Sequence, residues 1–503
     1  MPDETTGLPV IIFIHGGGYR YGSAAQYGGE TIIREKVIFV PIQYRLGTLG
    51  ILGDGSKEFG GNVALFDMHA ALQWVCEYIS FFGGDKKQIK IMGHGSGASS
   101  AMFLSQSPMG RSSINGVISM SGTSLDKNSY DIDGKNTTLE IANAHNCPHN
   151  NEVELVTCLQ SKSVEEIIEK DSKLQIDRLQ EQNIIKAMSG LLSFSPNIET
   201  ENDDRGLPGM IIEKPDESLK KEPKNKIPIL IGTVKHETAN AIDQNEIIKI
   251  FKSTSEFLKK SSETLRISNL VNTTKQVSDK LMTTLKLPSL KDYLTIPDNL
   301  SPDKILLKLI ETTTDIFFNI PSTLTANLWS KFSNAYFYQF EHIADASIGG
   351  RTFLKLLPLV GKKKSKGFVA HGDELSFLFD VCDIYGNPIN GTELKTQRDK
   401  DARKNFIKLI LQFAYLNSTH SQLSLNEQIL QTFRAESTSF IRVSDKLNFD
   451  TNFRFCQLSM FGVPFEATQK ISCEFLSENV QKLPLAKKAT DIVTSGGKKL
   501  GFV

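Results

Sequence analysis

An α/β fold, with a central, mostly parallel sheet flanked by helices, is what this sequence predicts. Three observations carry that reading. Short apolar runs end in glycine loops, at Val10–Ile14 before His15-Gly16-Gly17-Gly18 and at Ile89–Met92 before Gly93. A segment of helical period, Ala64–Ile79, lies between them. The third is the order itself: strand, helix, strand, with apolar strands and glycine-rich exits, argues for a parallel sheet covered by helices on both faces.

Taken in order, Val10–Ile14 is the first strand and Val37–Pro41 the second. Leu65, Met68, Leu72, Val75 and Ile79 recur at helical spacing over Ala64–Ile79, and Gly83-Gly84-Asp85 stops that helix. Ile89–Met92 is the next strand, followed by Gly93–Gly97 and the small-residue run Ala98-Ser99-Ser100. The middle of the chain is polar and helical, with charged stretches at Ser163–Asp177 and Glu201–Lys226. The second of these reads as a long surface loop before a strand at Ile227–Gly232. Helical patterns cover Asn245–Lys286 and Pro302–Phe332, a strand follows at Ala335–Phe340, and a glycine- and lysine-rich loop leads to His371. One large domain over 1–464 is expected, then a C-terminal tail over 465–503 that is frayed at Thr494–Val503.

With 503 residues, 40% hydrophobic and 23% charged, the chain has the composition of a globular protein with a sizeable core. Its formal net charge is +0, so no overall attraction to nucleic acid or to an anionic membrane is implied. The lysine clusters at Lys362–Lys366 and Lys220–Lys226 carry no interleaved aromatics and read as solvated loops. No run approaches the roughly 20 apolar residues of a membrane span. The first ten residues lack the basic segment and apolar core of a signal peptide. Six cysteines are too few for a disulfide scaffold. Cys147 and Cys158 enclose a short polar loop that a local disulfide would fit; Cys382, Cys456 and Cys473 offer further pairings, and Cys76 sits in an apolar helical pattern as a buried free thiol. Asn136, Asn272, Asn299, Asn390 and Asn417 are glycosylation sequons, in a number close to chance.

The chemistry concentrates at Gly93-His94-Gly95-Ser96-Gly97. A strand-to-helix turn of the form Gly-x-Ser-x-Gly presents a nucleophilic serine, and it is too tight for side chains two residues before and after its centre. Here the centre is Gly95. Centring the frame on Ser96 would put His94 and Ala98 at the tight positions, so the chain keeps the turn and loses the nucleophile. A serine esterase also needs a histidine base, an acid that orients it, and backbone donors for the oxyanion. Lys235-His236-Glu237 and His371-Gly372-Asp373-Glu374 supply acid and base in the order such sheets use, and His15-Gly-Gly-Gly18 supplies donors. Strand-end loops of this kind share one crevice. No His/Cys/Asp/Glu group has metal-ligand spacing and no glycine motif has a phosphate-binding context, so neither metal nor cofactor is called for.

Over residues 8 to about 462 the chain resembles the type-B carboxylesterase/cholinesterase family. The matching blocks are Leu8–Tyr19, Tyr44-Arg-Leu-Gly-Thr-Leu-Gly50, Gly61-Asn62 with Asp67 and Ala71-Leu-Gln-Trp-Val75, Phe82-Gly-Gly-Asp85, Ser119-Met-Ser-Gly-Thr123 and Val369-Ala-His-Gly-Asp-Glu-Leu375. The resemblance implies an α/β-hydrolase fold, Glu237 as acid, His371 as base, and the N–H groups of Gly17, Gly18 and Ser96 as oxyanion donors. It further implies a Cys147–Cys158 disulfide and a secreted or extracellular setting.

Three departures stand against that pattern. The nucleophile position is Gly95; the acid block carries His236 and Thr238 in place of Asp and Gly; and the family has about a hundred residues upstream, with a signal peptide, so Met1 is expected inside a longer natural chain or at a truncated start. Without a hydroxyl at 95, the Glu237–His371 pair reads as a retained buried hydrogen bond, His15 as a turn-stabilising residue and His94 as packing nearby. Ser96 is expected to turn its side chain away from the base, with Ser99 and Ser100 further off along the helix. The expectation is therefore a non-catalytic, cholinesterase-like protein of extracellular recognition or adhesion, similar to the neuroligin, gliotactin, glutactin and neurotactin group. Its partner would be an extracellular protein or a hydrophobic ester ligand. The alternatives are an ester hydrolase with an unconventional nucleophile and a carrier of hydrophobic ligands. Oligomeric state is left open.

Overall fold

The alternation of apolar residues along the strands sets the layering. In the computed structural model, which describes residues 7–57, 59–126, 129–131, 134–149, 151–181, 195–201, 204–240, 301–344, 367–389, 394–416, 422–435, 437–454 and 457–458, eight strands form one sheet. These are β1 (Leu8–Ile14), β2 (Ile38–Ile42), β3 (Gly84–His94), β4 (Val117–Met120), β5 (Ile229–Val234), β6 (Ala335–Phe340), β7 (Phe440–Val443) and β8 (Leu447–Asp450). Their spatial order is β8-β7-β6-β5-β4-β3-β1-β2, and every neighbouring pair is parallel except the terminal β7–β8 hairpin. This is the sheet of an α/β-hydrolase.

Successive side chains of a strand point to opposite faces. Val10, Ile12 and Ile14 accordingly join one buried cluster and Ile11 and Phe13 another. The first cluster takes the helix Val63–Tyr78 through Leu65, Met68, Leu72 and Val75, all at or below 1% exposure. Each such side chain contributes about 2 kcal/mol of burial. The elbow helix Ser96–Gln106 and the helix Ile320–Ser330 pack on the same side. The opposite face is covered by Gln397–Ala414, whose Phe406, Ile407, Ile410, Leu411 and Phe413 face the sheet. Thr396 caps that helix by accepting from the Asp399 amide, and the buried Asp399 carboxylate meets His342 Nε2 at 2.7 Å beyond the end of β6.

Several sequence expectations change in detail. Gly83 is the left-handed residue that ends the first helical segment, at φ 82°, whereas Gly84 and Asp85 already belong to β3. The stretch expected as a surface loop over Glu201–Lys226 is exposed at its lysines, yet Met210, Ile211 and Leu219 enter the core. The reason is local: the Met210 and Ile211 amides both donate to the buried carboxylate of Glu199. Pro302–Phe332 is two helices, Pro302–Thr314 and Ile320–Ser330, joined by a π turn over Asp315–Asn319. Cys147 and Cys158 are disulfide-bonded; Cys382 is free, and Cys76 is free but half-buried rather than buried. Asn136 lies on the helix Gly134–Ala144. The other four sequons, Cys456 and Cys473, Lys362–Lys366, the pattern over Asn245–Lys286 and the tail 465–503 fall outside the described residues. Among the described residues no helix is long and apolar enough to cross a membrane.

Candidate active site

Loops from the carboxyl ends of β1, β3, β4 and β5 converge on Gly95, where crossover topology leaves a crevice. The elbow is as tight as its glycines require. A Cβ on Gly93 would collide with the Gly97 carbonyl, and one on Gly97 with the Ile14 carbonyl. Gly95 differs in kind. Its backbone sits at φ 56° and ψ −122°, a region that costs a non-glycine residue about 1–3 kcal/mol, but its side-chain space is open toward the histidine. A Cβ there would stand 3.4 Å from His371 Nε2 and 3.8 Å from Cε1. These are ordinary contact distances, so a serine fits the space and pays only in backbone strain.

The acid and histidine loops are zipped together. His371 N donates to the Glu237 carbonyl at 3.1 Å, and His371 Nδ1 meets Glu237 Oε2 at 2.7 Å. Glu237 Oε1 accepts from the Val234 amide at 2.9 Å, which leaves both carboxylate oxygens of this buried group engaged. Burial works against a charge on His371, but the hydrogen bond and charge of Glu237, with the charges of Glu374 and Asp126, outweigh it and hold the imidazole above its ordinary value.

The two odd residues of the acid block have structural work. His236 N donates to the Val369 carbonyl at 3.1 Å and His236 Nδ1 faces the Val369 amide at 3.4 Å. Burial lowers its pKa to about 4, so it accepts as a neutral ring. Thr238 Oγ1 lies 2.6 Å from Thr313 Oγ1 and 3.2 Å from the Ile310 carbonyl, which fastens the loop to the helix Pro302–Thr314. From the π turn that follows, Phe318 lays its ring 5.2 Å from that of His371.

A second imidazole–carboxylate pair, missed in the sequence, lies beside the first. The His94 ring is 4.5 Å from the His371 ring, and its Nε2 is 3.3 Å from Glu374 Oε1, an ion-pair distance without hydrogen-bond alignment. Ser121 Oγ donates to the same oxygen at 3.1 Å. Burial opposes ionisation of Glu374, yet His94 and His371 together hold its carboxyl below the usual range. The signal was present: Glu374 follows His371 by three residues and His94 precedes Gly95. Asp126, after β4, accepts from Thr123 N and Oγ1, both at 2.9 Å, and burial pushes its carboxyl up to about 7.

His15 is structural, as expected. It is buried, stacks 4.4 Å from Tyr44, and its Nδ1 lies 2.9 Å from the Gly16 carbonyl; burial lowers its pKa to about 4. Ser99 donates to the Thr123 carbonyl, and Ser100 to Tyr19 and to the Ser96 carbonyl. The oxyanion loop and the elbow also touch: the Gly18 amide donates to Ser96 Oγ at 3.0 Å. Elsewhere, a surface cleft of about 200 Å³ lined by Arg111, Asn225 and Trp329 lies at the far end of the elbow helix, away from this chemistry.

Comparison with known proteins gives the same answer from another direction. Residues 1–460 match the model of the carboxylesterase family. Human cocaine esterase is 28% identical over 407 residues, covering 80% of this chain and 63% of that protein. Rat carboxylesterase 1C is 30% identical over 354 residues, 67% of this chain and 56% of that one. Gut esterase 1 of Caenorhabditis elegans is 32% identical over 268 residues, 52% of this chain and 44% of that protein. The chain thus spans less than two thirds of these relatives. Since the family match runs through the whole sheet and through elbow, acid and histidine alike, the chain belongs to the carboxylesterase family.

Proposed function

We propose that this chain is a carboxylesterase-family member without acyl-enzyme chemistry, which uses its crevice and surface for extracellular recognition, as the neuroligin and glutactin group does. One observation carries the reading: the residue facing His371 Nε2 is Gly95, and no atom there can attack an ester carbonyl. A covalent route needs a nucleophile within hydrogen-bond reach of the base. The Ser99 and Ser100 hydroxyls are engaged elsewhere, and Ser96 Oγ accepts from the oxyanion loop. Relatives named cocaine esterase and gut esterase support a carboxylic ester as the small ligand that the crevice holds. The Cys147–Cys158 disulfide supports a secretory setting, where such bonds persist.

The test is Gly95→Ser, assayed beside the unaltered chain with p-nitrophenyl esters and a fluorophosphonate label. The substitution is expected to create labelling and to raise hydrolysis by roughly 10³-fold or more, because acid and base are already paired beside the new hydroxyl. Stoichiometric labelling of the unaltered chain, with turnover of about 1 s⁻¹ or faster, sinks the proposal. A second reading, hydrolysis by a water that His371 activates, is favoured by the intact 2.7 Å pair with Glu237. It requires slow turnover without labelling that disappears in His371→Ala.

A further inference from the structure

We propose that Ser96 plugs the oxyanion hole, so that the site is disabled twice. The inference rests on the reading above, in that a carbonyl seats between Gly95 and the glycine loop. The Gly18 amide, one of three N–H groups expected to face that carbonyl oxygen, donates instead to Ser96 Oγ at 3.0 Å.

An oxyanion needs that N–H undivided. With Ser96 Oγ in place, its lone pairs point along the N–H bond, where a developing negative charge would sit. The carbonyl must displace the hydroxyl or do without the donor. Loss of a donor costs about 10²–10³ in rate, while displacing a neutral hydrogen bond of about 1 kcal/mol costs roughly fivefold. The contact is not what holds the loop. Gly17 O accepts from the Arg20 and Tyr21 amides at 3.1 and 3.2 Å, and the Tyr44 hydroxyl donates to the His15 carbonyl at 2.7 Å. Removing the Ser96 hydroxyl therefore frees the Gly18 amide and leaves its loop in place. Donor stabilisation is realised in the transition state, so the effect belongs in kcat and not in KM.

The experiment compares Gly95→Ser alone with Gly95→Ser/Ser96→Ala and Gly95→Ser/Ser96→Gly, measuring kcat and KM on p-nitrophenyl butyrate and the melting temperature of each. Both double variants are expected to exceed the single in kcat by roughly 5- to 100-fold, with KM within about twofold. Two double variants guard against one folding poorly. Equal or lower kcat in the doubles, a change confined to KM, or no hydrolysis by doubles that melt like the unaltered chain overturns the plug. The unaltered chain decides the parent reading separately. Should it prove an ordinary esterase, that reading falls while the ratio of double to single still decides the role of Ser96.

Discussion

His371 is held between a carboxylate at 2.7 Å and two rings, those of His94 and Phe318, at 4.5 and 5.2 Å. Its folded pKa lies above the ordinary histidine value of 6.5, so the native state binds the proton more tightly than the unfolded chain does. The stability contributed by this histidine is therefore full below pH 6.5 and is lost as pH rises through the raised value. Urea unfolding of the unaltered chain and of His371→Gln at pH 6 and pH 8.5 checks the sign. The stability gap is expected to shrink toward alkaline pH; a gap that widens contradicts the geometry. Gly95, Glu237 and His371 were legible as a set because the chemistry demands fixed residue types in a fixed order. The His94–Glu374 pair was marked only by adjacency to Gly95 and His371, and the direction in which the elbow's variable residue turns is set by the fold.

Among the elements, the acid loop matters most, because it carries Glu237 and has exchanged its usual flanking residues. Thr238 ties it to Pro302–Thr314, the helix that runs into the π turn bearing Phe318. Thr238→Val is expected to cost about 1 kcal/mol, since Thr313 Oγ1 keeps its own bonds to the Leu309 and Ile310 carbonyls. A double-mutant cycle with Thr313→Val, read by urea denaturation, should give a coupling of about 0.5 kcal/mol or more. Additivity within error would show that the two hydroxyls do not stabilise one another. The departures at His236 and Thr238 stood out in the sequence as losses. In the fold both are hydrogen-bond partners, His236 of Val369 and Thr238 of Thr313.

At the scale of the molecule, the sheet encloses one charged residue whose cost is visible. Lys90, on β3, is 1% exposed and donates to the Leu416 and Asn115 carbonyls at 2.7 and 3.1 Å, which joins the end of Gln397–Ala414 to the sheet. Burial lowers its pKa to about 8 from 10.5. Between those values the unfolded chain binds more protons, so Lys90 makes stability rise with pH across that window. Lys90→Met is expected to flatten this rise. Melting temperatures of both proteins at pH 7.5 and pH 9.5 check it, and a parallel pair of curves removes Lys90 from the account. Most strands were readable because apolar runs buried on both faces leave little ambiguity. β4, the β7–β8 hairpin and the helix Gln397–Ala414 were not picked out, being short or polar-flanked stretches whose pattern acquires meaning only against the sheet.

Residue identity and order alone specified the fold class, the tight elbow and the absence of an attacking atom at Gly95, while the Cys147–Cys158 disulfide was only a pairing that the short loop would fit. These are local or compositional facts: a glycine has no hydroxyl in any fold, and a run of branched residues between glycine loops has few other conformations. Packing settled the rest. It brought Ser96 Oγ onto the Gly18 amide, paired His94 with Glu374, and left 3.4 Å between the absent Cβ and His371 Nε2. Each joins segments far apart in the chain, and a distance between such segments exists only once the sheet has set their relative positions.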